Sequence, residues 1–252
     1  MTTYSHSRLS TFEKCPKKFK YKYIDKIKPE IEATIEMHLG DVVHRVLEWL
    51  YNSVKSGKTP TMDELITYYS IKWQDEFSDE ILIVKKELTA KDYFQKGFQY
   101  LIDYYEMHKP FDDKTIECEK KIVIELDQNT KIQGFIDRLV HNIETGEYEI
   151  HDYKTGNFLP SQKEIDKDRQ LALYSIAIKE IYGQDKSVVL VWYYLAHNKK
   201  LSSKRTNEQL QKLKQETLKL IKKIESTTEF PANISKLCGW CEYKGICEDY
   251  CK

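Results

Sequence analysis

Two acidic residues and a lysine fall on two neighbouring segments with strand-like patterning. Asp137 lies in Gly134-Phe135-Ile136-Asp137-Arg138, and Asp152 and Lys154 lie in Ile150-His151-Asp152-Tyr153-Lys154-Thr155-Gly156. Residues 132–140 and 147–154 alternate as half-buried strands do, with Tyr148, Ile150, Asp152 and Lys154 on one side. Asn142–Gly146 between them carries a turn signal. A two-residue loop at Glu144-Thr145 sets Asp137 opposite Asp152, and one at Thr145-Gly146 sets it opposite Lys154. Both registers keep the three side chains on one face. Like charges facing each other across a ladder are destabilising. A divalent cation would neutralise them, because hard cations take carboxylate oxygens. The lysine two residues on points its ammonium at the same spot, able to orient or deprotonate a water or to meet charge developing on a phosphate. An ordinary surface salt-bridge ladder uses the same residue types, so the D-x-K spacing alone leaves both readings open.

The flanking segments supply the scaffold. Residues 5–28 read as two short helices, with Ser10 and Glu13 as a capping box and Pro16 in the first turn of the second. A longer helix spans 33–55, its apolar side made by Ile35, Leu39, Val43, Val46, Leu47 and Leu50. Thr61 and Glu64 cap a helix to about Phe77, and another spans 91–108, so that residues 56–110 form a helical insertion. Strand character returns at 114–126 and continues through the hairpin. A helix at 161–183, a buried strand at 187–195 and a helix at 206–226 capped by Thr206 and Gln209 complete the chain. This order predicts an α/β (α+β) fold, a mixed sheet flanked by helices within one domain covering 1–252.

Composition narrows the classes. The chain has 252 residues, 40% hydrophobic and 32% charged, enough for a substantial core. No apolar run has the length of a membrane span and the opening residues lack a signal-peptide core, so a cytoplasmic protein is expected. Forty basic and forty acidic residues cancel, but Lys14, Lys17, Lys18, Lys20, Lys22, Lys26 and Lys28 crowd one segment, and residues 199–223 form a second basic block. Such runs suit either a solvated face or a phosphate backbone. Without a G-x-x-x-x-G-K-[ST] loop, any unwinding partner must be another chain.

Six cysteines without a secretion signal point to metal or redox chemistry before disulfides. Cys238, Cys241, Cys247 and Cys251 cluster at the end of the chain, Cys15 lies near the start, and Cys118 reads as a small core residue. C-x2-C-x5-C needs a further ligand to hold zinc or an iron–sulfur cluster. Cys251 would complete a local site.

His44, amid apolar helix positions, fits either a core residue or a ligand. Gln170 and Tyr174 lie one turn apart on the helix after the hairpin. In order, the pieces resemble the RecB-like branch of the PD-(D/E)xK nucleases. His44 is similar to that branch's helix histidine, Gly134–Arg138 to its G-x-x-D-R, Asp152–Gly156 to its D-Y-K-T-G, and Gln170 with Tyr174 to its Q-x-x-x-Y. Ser7–Phe19 also looks like its opening segment.

The resemblance implies a restriction-endonuclease-like fold and metal-dependent hydrolysis of DNA, with single-stranded ends as the expected substrate. Asp137 and Asp152 would hold Mg²⁺ or Mn²⁺ with His44 and the Tyr153 carbonyl, joined by Glu117 or Glu119. Lys154 would serve the nucleophile, and Gln170 and Tyr174 would steady the site. Lys17, Lys18, Lys20 and Arg138 are expected at the DNA. The chain is similar to AddB-type nuclease domains and the iron–sulfur CRISPR-associated RecB-like exonucleases, which implies a 4Fe–4S clasp from Cys15, Cys238, Cys241 and Cys247, zinc being the alternative. Such a clasp would join the N- and C-terminal segments. A helicase or CRISPR integrase is the implied kind of partner, in CRISPR adaptation, repair or a virus. Two other functions fit the same residues: a non-catalytic DNA-end or nuclease-partner module, and a thiolate redox sensor.

Overall fold

The computed structural model describes residues 2–29 and 31–250. In chain order the elements are β1 (Thr2–Ser5), α1 (His6–Lys14), α2 (Pro16–Phe19), a π-helical turn (Lys20–Ile24), α3 (Ile35–Lys55), α4 (Met62–Glu76), α5 (Ala90–His108), β2 (Thr115–Glu125), β3 (Thr130–His141), β4 (Tyr148–Lys154), α6 (Gln162–Ile165), α7 (Gln170–Tyr182), β5 (Val188–Tyr194), β6 (Lys199–Lys204) and α8 (Asn207–Ser226).

The strands form one mixed sheet in the order β1-β3-β4-β5-β6, with β2 on the other edge of β3. β1 and β3 run parallel, as do β4 and β5, and the remaining neighbours are antiparallel. The expected mixed sheet flanked by helices is therefore present. One face carries a core shared with α1, α7 and α8, including Leu9, Ile136, Leu139, Ile150, Leu173 and Trp192. The other face packs on α3, with α4 and α5 stacked against that helix.

α3 owes its place to its sequence. Thr34 accepts the Met37 amide at the N-terminus, and Val42, Val43, Val46, Leu47 and Leu50 are fully buried along one side. Each such side chain removed from water is worth roughly 1.5–3 kcal/mol. α4 and α5 both begin with the reciprocal Thr–acid capping pairs, Thr61 with Glu64 and Thr89 with Asp92.

Four local expectations are corrected. Ser10 lies inside α1, whose cap is Ser5, so Ser10–Glu13 is not a capping box. The helix expected over 161–183 breaks into α6 and α7, because Asp168 turns its side chain onto the Gln170 amide and starts a new helix there. β1 and β6 are strands without a strong apolar alternation; they pair at the sheet's periphery, where backbone bonding suffices. The hairpin register sets Arg138 against His151 and Leu139 against Ile150, the register of a Glu144-Thr145 loop, but a wider turn makes it. Asn142 and Glu147 still pair, and Gly146 reverses the chain at φ 70°.

Candidate active site

The site opens where β3 changes partners. β1 holds that edge of β3 through Gln133 and β4 takes it from Arg138, while β2 covers the opposite edge. Residues 134–137 are left between the two partners. At Gly134 a Cβ atom would sit 2.4 Å from the Tyr174 hydroxyl, so only glycine lets α7 lie against the strand here. The strand's alternation also breaks at this point. Ile136 and Leu139, an odd number of residues apart, enter the same core, and Glu119 on β2 adopts φ 49°. The irregularity turns Asp137 and Glu119 toward α3.

Asp137 Oδ2 accepts the Tyr153 amide at 2.9 Å and lies 3.3 Å from His44 Nδ1. His44 Nε2 is 2.8 Å from the Tyr153 carbonyl oxygen. With an acceptor at each nitrogen, the ring is set to carry both protons. Burial alone would depress its pKa, but the Asp137 carboxylate outweighs burial and, with Asp152 and the Tyr153 carbonyl, lifts it to about 9. Glu119 is pushed up to about 7, first by burial and then by Asp137 and Glu48. Ligand atoms of His44, Glu119 and Asp137 lie within 4.8 Å of one another.

Asp152 is only 4% exposed. Its Oδ1 accepts from Gln170 Nε2 at 3.2 Å. Its buried Oδ2 is 2.6 Å from Lys154 Nζ, a charge contact off hydrogen-bonding geometry that leaves this oxygen without a hydrogen bond. Burial raises the Asp152 pKa to about 6, with Asp137 adding and Lys154 opposing. Burial lowers the Lys154 pKa, but the Asp152 charge outweighs it and the net shift is upward. Lys154 Nζ also donates to Gln170 Oε1 at 3.3 Å, so the Gln170 amide bridges acid and base. The donor set fits a divalent cation: hard oxygens, one imidazole and a buried carboxylate oxygen that meets the Lys154 charge but makes no hydrogen bond. An open cleft of about 640 Å³ lined by Gly40, Asp41, His44, Glu48, Glu119 and Asp137 leads to it.

A family model described as the PD-(D/E)XK nuclease superfamily matches residues 3–248. The chain belongs to the PD-(D/E)XK nuclease superfamily. A solved structure of a candidate exonuclease from Eubacterium rectale is similar at TM-score 0.54 and 13% identity, covering 95% of this chain and 86% of that one. The structure of SSO0001 aligns at TM-score 0.42 and 14% identity, over 98% of this chain and 86% of the other. No curated protein matches. The mixed sheet is that of a restriction-endonuclease-like nuclease fold, and superfamily members use divalent metal ions, for which the acid and imidazole cluster above is the candidate position.

Among the residues expected at the metal, the structure gathers His44, Asp137 and Glu119, with Asp152 reached through the Tyr153 backbone. The Tyr153 carbonyl is taken by His44. Glu117 turns away and pairs with Lys120 at 2.5 Å. Tyr174 stands over Gly134 with its hydroxyl pKa pushed up to about 12 by burial.

Arg138 has no exposed surface, which moves it from the expected DNA contacts to the interior. Its guanidinium donates to the Tyr153 hydroxyl at 3.0 Å and to His151 Nδ1 at 2.9 Å, pairs with Asp113, and lies 3.8 Å from the Tyr51 ring centroid. So much bonding compensates the burial of a charge. Lys17 and Lys18 are held by Asp249 at 2.6 Å and Glu242 at 2.5 Å, and half-exposed Lys20 lies 3.9 Å from Asp25.

Cys15, Cys238, Cys241 and Cys247 line one small cavity of about 30 Å³, each as a free thiol. Asn233 donates to the Lys14 carbonyl at 2.9 Å beside it, so the N- and C-terminal segments meet here. Cys251 lies outside the described residues. Cys118 sits in the α3-side core with its thiol pKa raised to about 11 by burial. Among the described residues no helix is long and apolar enough to cross a membrane.

Glu48 was not singled out from the sequence although it lines the cleft. Its position one turn after His44 places the two on one helix face, a signal that was available. Glu36 and Asp41 extend the same face toward the start of α3.

Proposed function

We propose that this superfamily member is an exonuclease that hydrolyses phosphodiester bonds of single-stranded DNA from an end, using Mg²⁺ or Mn²⁺, with a 4Fe–4S cluster joining its terminal segments. The observation that carries the catalytic part is the Asp137–Tyr153 bond, which ties the first aspartate to the backbone between Asp152 and Lys154. The end-directed part follows the activity named for the Eubacterium rectale protein.

His44, Glu119, Asp137 and Asp152 would hold the ion. Bound there, it would supply Lewis-acid polarisation of the scissile phosphate. The His44 imidazolium sits between Asp137 and the Tyr153 carbonyl, where it balances the carboxylate charge. Lys154 keeps its proton, because its pKa is raised rather than lowered. It therefore acts as a fixed cation, orienting the attacking water and meeting charge on the phosphoryl oxygens as the new P–O bond forms, the water's proton passes to solvent, and the sugar oxygen leaves and takes a proton from solvent. Gln170 holds both Lys154 and Asp152 in register.

The four cysteines lining one cavity suit a 4Fe–4S cluster, with zinc as the alternative. Half-exposed Lys20 would contact the DNA backbone, while Lys17 and Lys18 are engaged across the clasp. A helicase or a CRISPR integrase is the proposed kind of partner.

End-labelled single- and double-stranded DNA, incubated with Mn²⁺ and wild-type or Asp152→Ala protein, tests the enzyme reading. Progressive shortening of the single strand by wild type alone is expected. Binding of DNA with no metal-dependent shortening would leave only a binding module. Iron and sulfide content of anaerobically purified protein tests the clasp.

A further inference from the structure

A second cavity, of about 310 Å³, lies beside the catalytic cleft and is walled by Lys22, Lys26, Met37, Trp240 and Tyr243 among others. Met37 lines both spaces, and 55% of it is exposed. Glu36, on the cleft side, is joined to the far wall: its Oε1 accepts from Tyr93 at 2.8 Å and from Trp240 Nε1 at 3.3 Å. Its Oε2 is buried and has no partner. The Trp240 indole is therefore pinned at its nitrogen where the two cavities meet, beside an unused carboxylate oxygen.

On the nuclease reading above, we propose that this cavity receives one unpaired nucleobase of the strand whose phosphodiester lies in the catalytic cleft, stacked against Trp240. Three features of the lining fit that occupant. The aromatic ring and the Met37 thioether present a flat apolar wall of the sort on which bases stack without regard to sequence. Lys22 and Lys26 supply cations for the backbone. The two acids in the wall are already balanced, since Glu242 is held by Lys18 at 2.5 Å and Glu32 by Lys28 at 3.0 Å. Outside the lining, on the cleft side of the junction, the buried Glu36 Oε2 is a further acceptor toward a base N–H. The cavity's size also lies within the range of small-ligand cavities. A duplex would keep its bases paired and could not fill it, which makes this pocket a source of single-strand preference.

The test is an abasic scan read by binding. A short fluorescein-labelled single strand, with one abasic site moved along it, is titrated with the intact protein in Ca²⁺ and followed by anisotropy. Loss of about tenfold in affinity at one position from the end, flattened in Trp240→Ala and in Met37→Ala and retained in Trp240→Phe, supports the pocket. Met37→Ala carries the result if Trp240→Ala fails to fold. A flat scan in wild type overturns it, as does a position-specific loss unchanged in both alanine variants. Cleavage of the same strands in Mn²⁺ separates the two readings. Cleavage with a flat scan removes the pocket alone, and a Trp240-dependent scan without cleavage removes the catalytic reading alone.

Discussion

The Asp137 carboxylate accepts the Tyr153 backbone amide at 2.9 Å, between the two residues, Asp152 and Lys154, that share its site. The bond spans the point just beyond Arg138–His151, the last β3–β4 pair of the ladder. It locks one acid to the strand that carries the other acid and the lysine. Relative placement of the three groups thus depends on backbone rather than on flexible side chains.

Removing either acid should abolish cleavage and spare binding. Asp137→Ala and Asp152→Ala are each expected to lower the single-turnover rate with Mn²⁺ by at least about a thousandfold, the scale of losing a principal electrostatic group. Filter binding in Ca²⁺ should show retained affinity for single-stranded DNA.

Gln170 positions Lys154 without being the charge itself. Gln170→Ala should cost about tenfold to a hundredfold in rate with little change in DNA affinity. Gln170→Glu, which puts a further carboxylate beside Asp152, should be worse than alanine and should shift the acid limb of the pH–rate profile upward. A profile identical to wild type in both variants would remove Gln170 from the site.

The Gly134–Tyr174 contact is a packing prediction. Gly134→Ala pushes a methyl into the Tyr174 ring, which should destabilise the fold by about 1–3 kcal/mol. Urea denaturation of Gly134→Ala, Tyr174→Ala and the pair should show a double variant more stable than the two losses added, because the cavity left by tyrosine accepts the methyl.

Acid should weaken the fold through His151 and Glu149, which lie 3.0 Å apart. Burial and then Arg138 depress the His151 pKa to about 3 from an ordinary 6.5. Between those values the unfolded chain binds the proton and the folded chain does not, so stability is complete above pH 6.5 and falls as pH drops toward 3. The His151 contact holds Glu149 at about 2 against an ordinary 4.5, so its contribution is present above pH 4.5 and is lost as pH falls toward 2. Both act in the same direction. Thermal melts of wild type from neutral pH to pH 4 should show a falling Tm, and His151→Gln should flatten the upper part of that fall.

The clasp should be as much structural as chemical. Cys15→Ser is expected to lower bound iron and to drop Tm by about 10 °C, since a metal–thiolate group contributes directly to folding. Cys118→Ser, remote from the four thiols, should leave iron content unchanged.

Much of this site is legible in linear order because each piece answers a local demand. Asp152 and Lys154 share a face by strand alternation, His44 repeats with the apolar side of α3, and Gly134 is bare where Tyr174 must pass. Arg138 misleads for a physical reason. An arginine next to a candidate metal-binding acid looks like a phosphate contact, yet the break in alternation keeps it on the α3 side with Asp137, deep in the interior, where Tyr51, Tyr153, His151 and Asp113 satisfy it. The choice between Glu117 and Glu119 was likewise invisible, because the kink at Glu119 breaks the period on which the choice would rest.

By itself the sequence determined the residue types, the helices and central strands, and the pairing of two acids with a lysine, since these follow from periodicity and spacing along one chain. Only the tertiary structure decided which glutamate stands beside His44 and Asp137, that Arg138 is internal, and that Cys15 meets three thiols more than two hundred residues away. Those outcomes depend on which strand edge is left open and which chain segments meet, and no local preference encodes either.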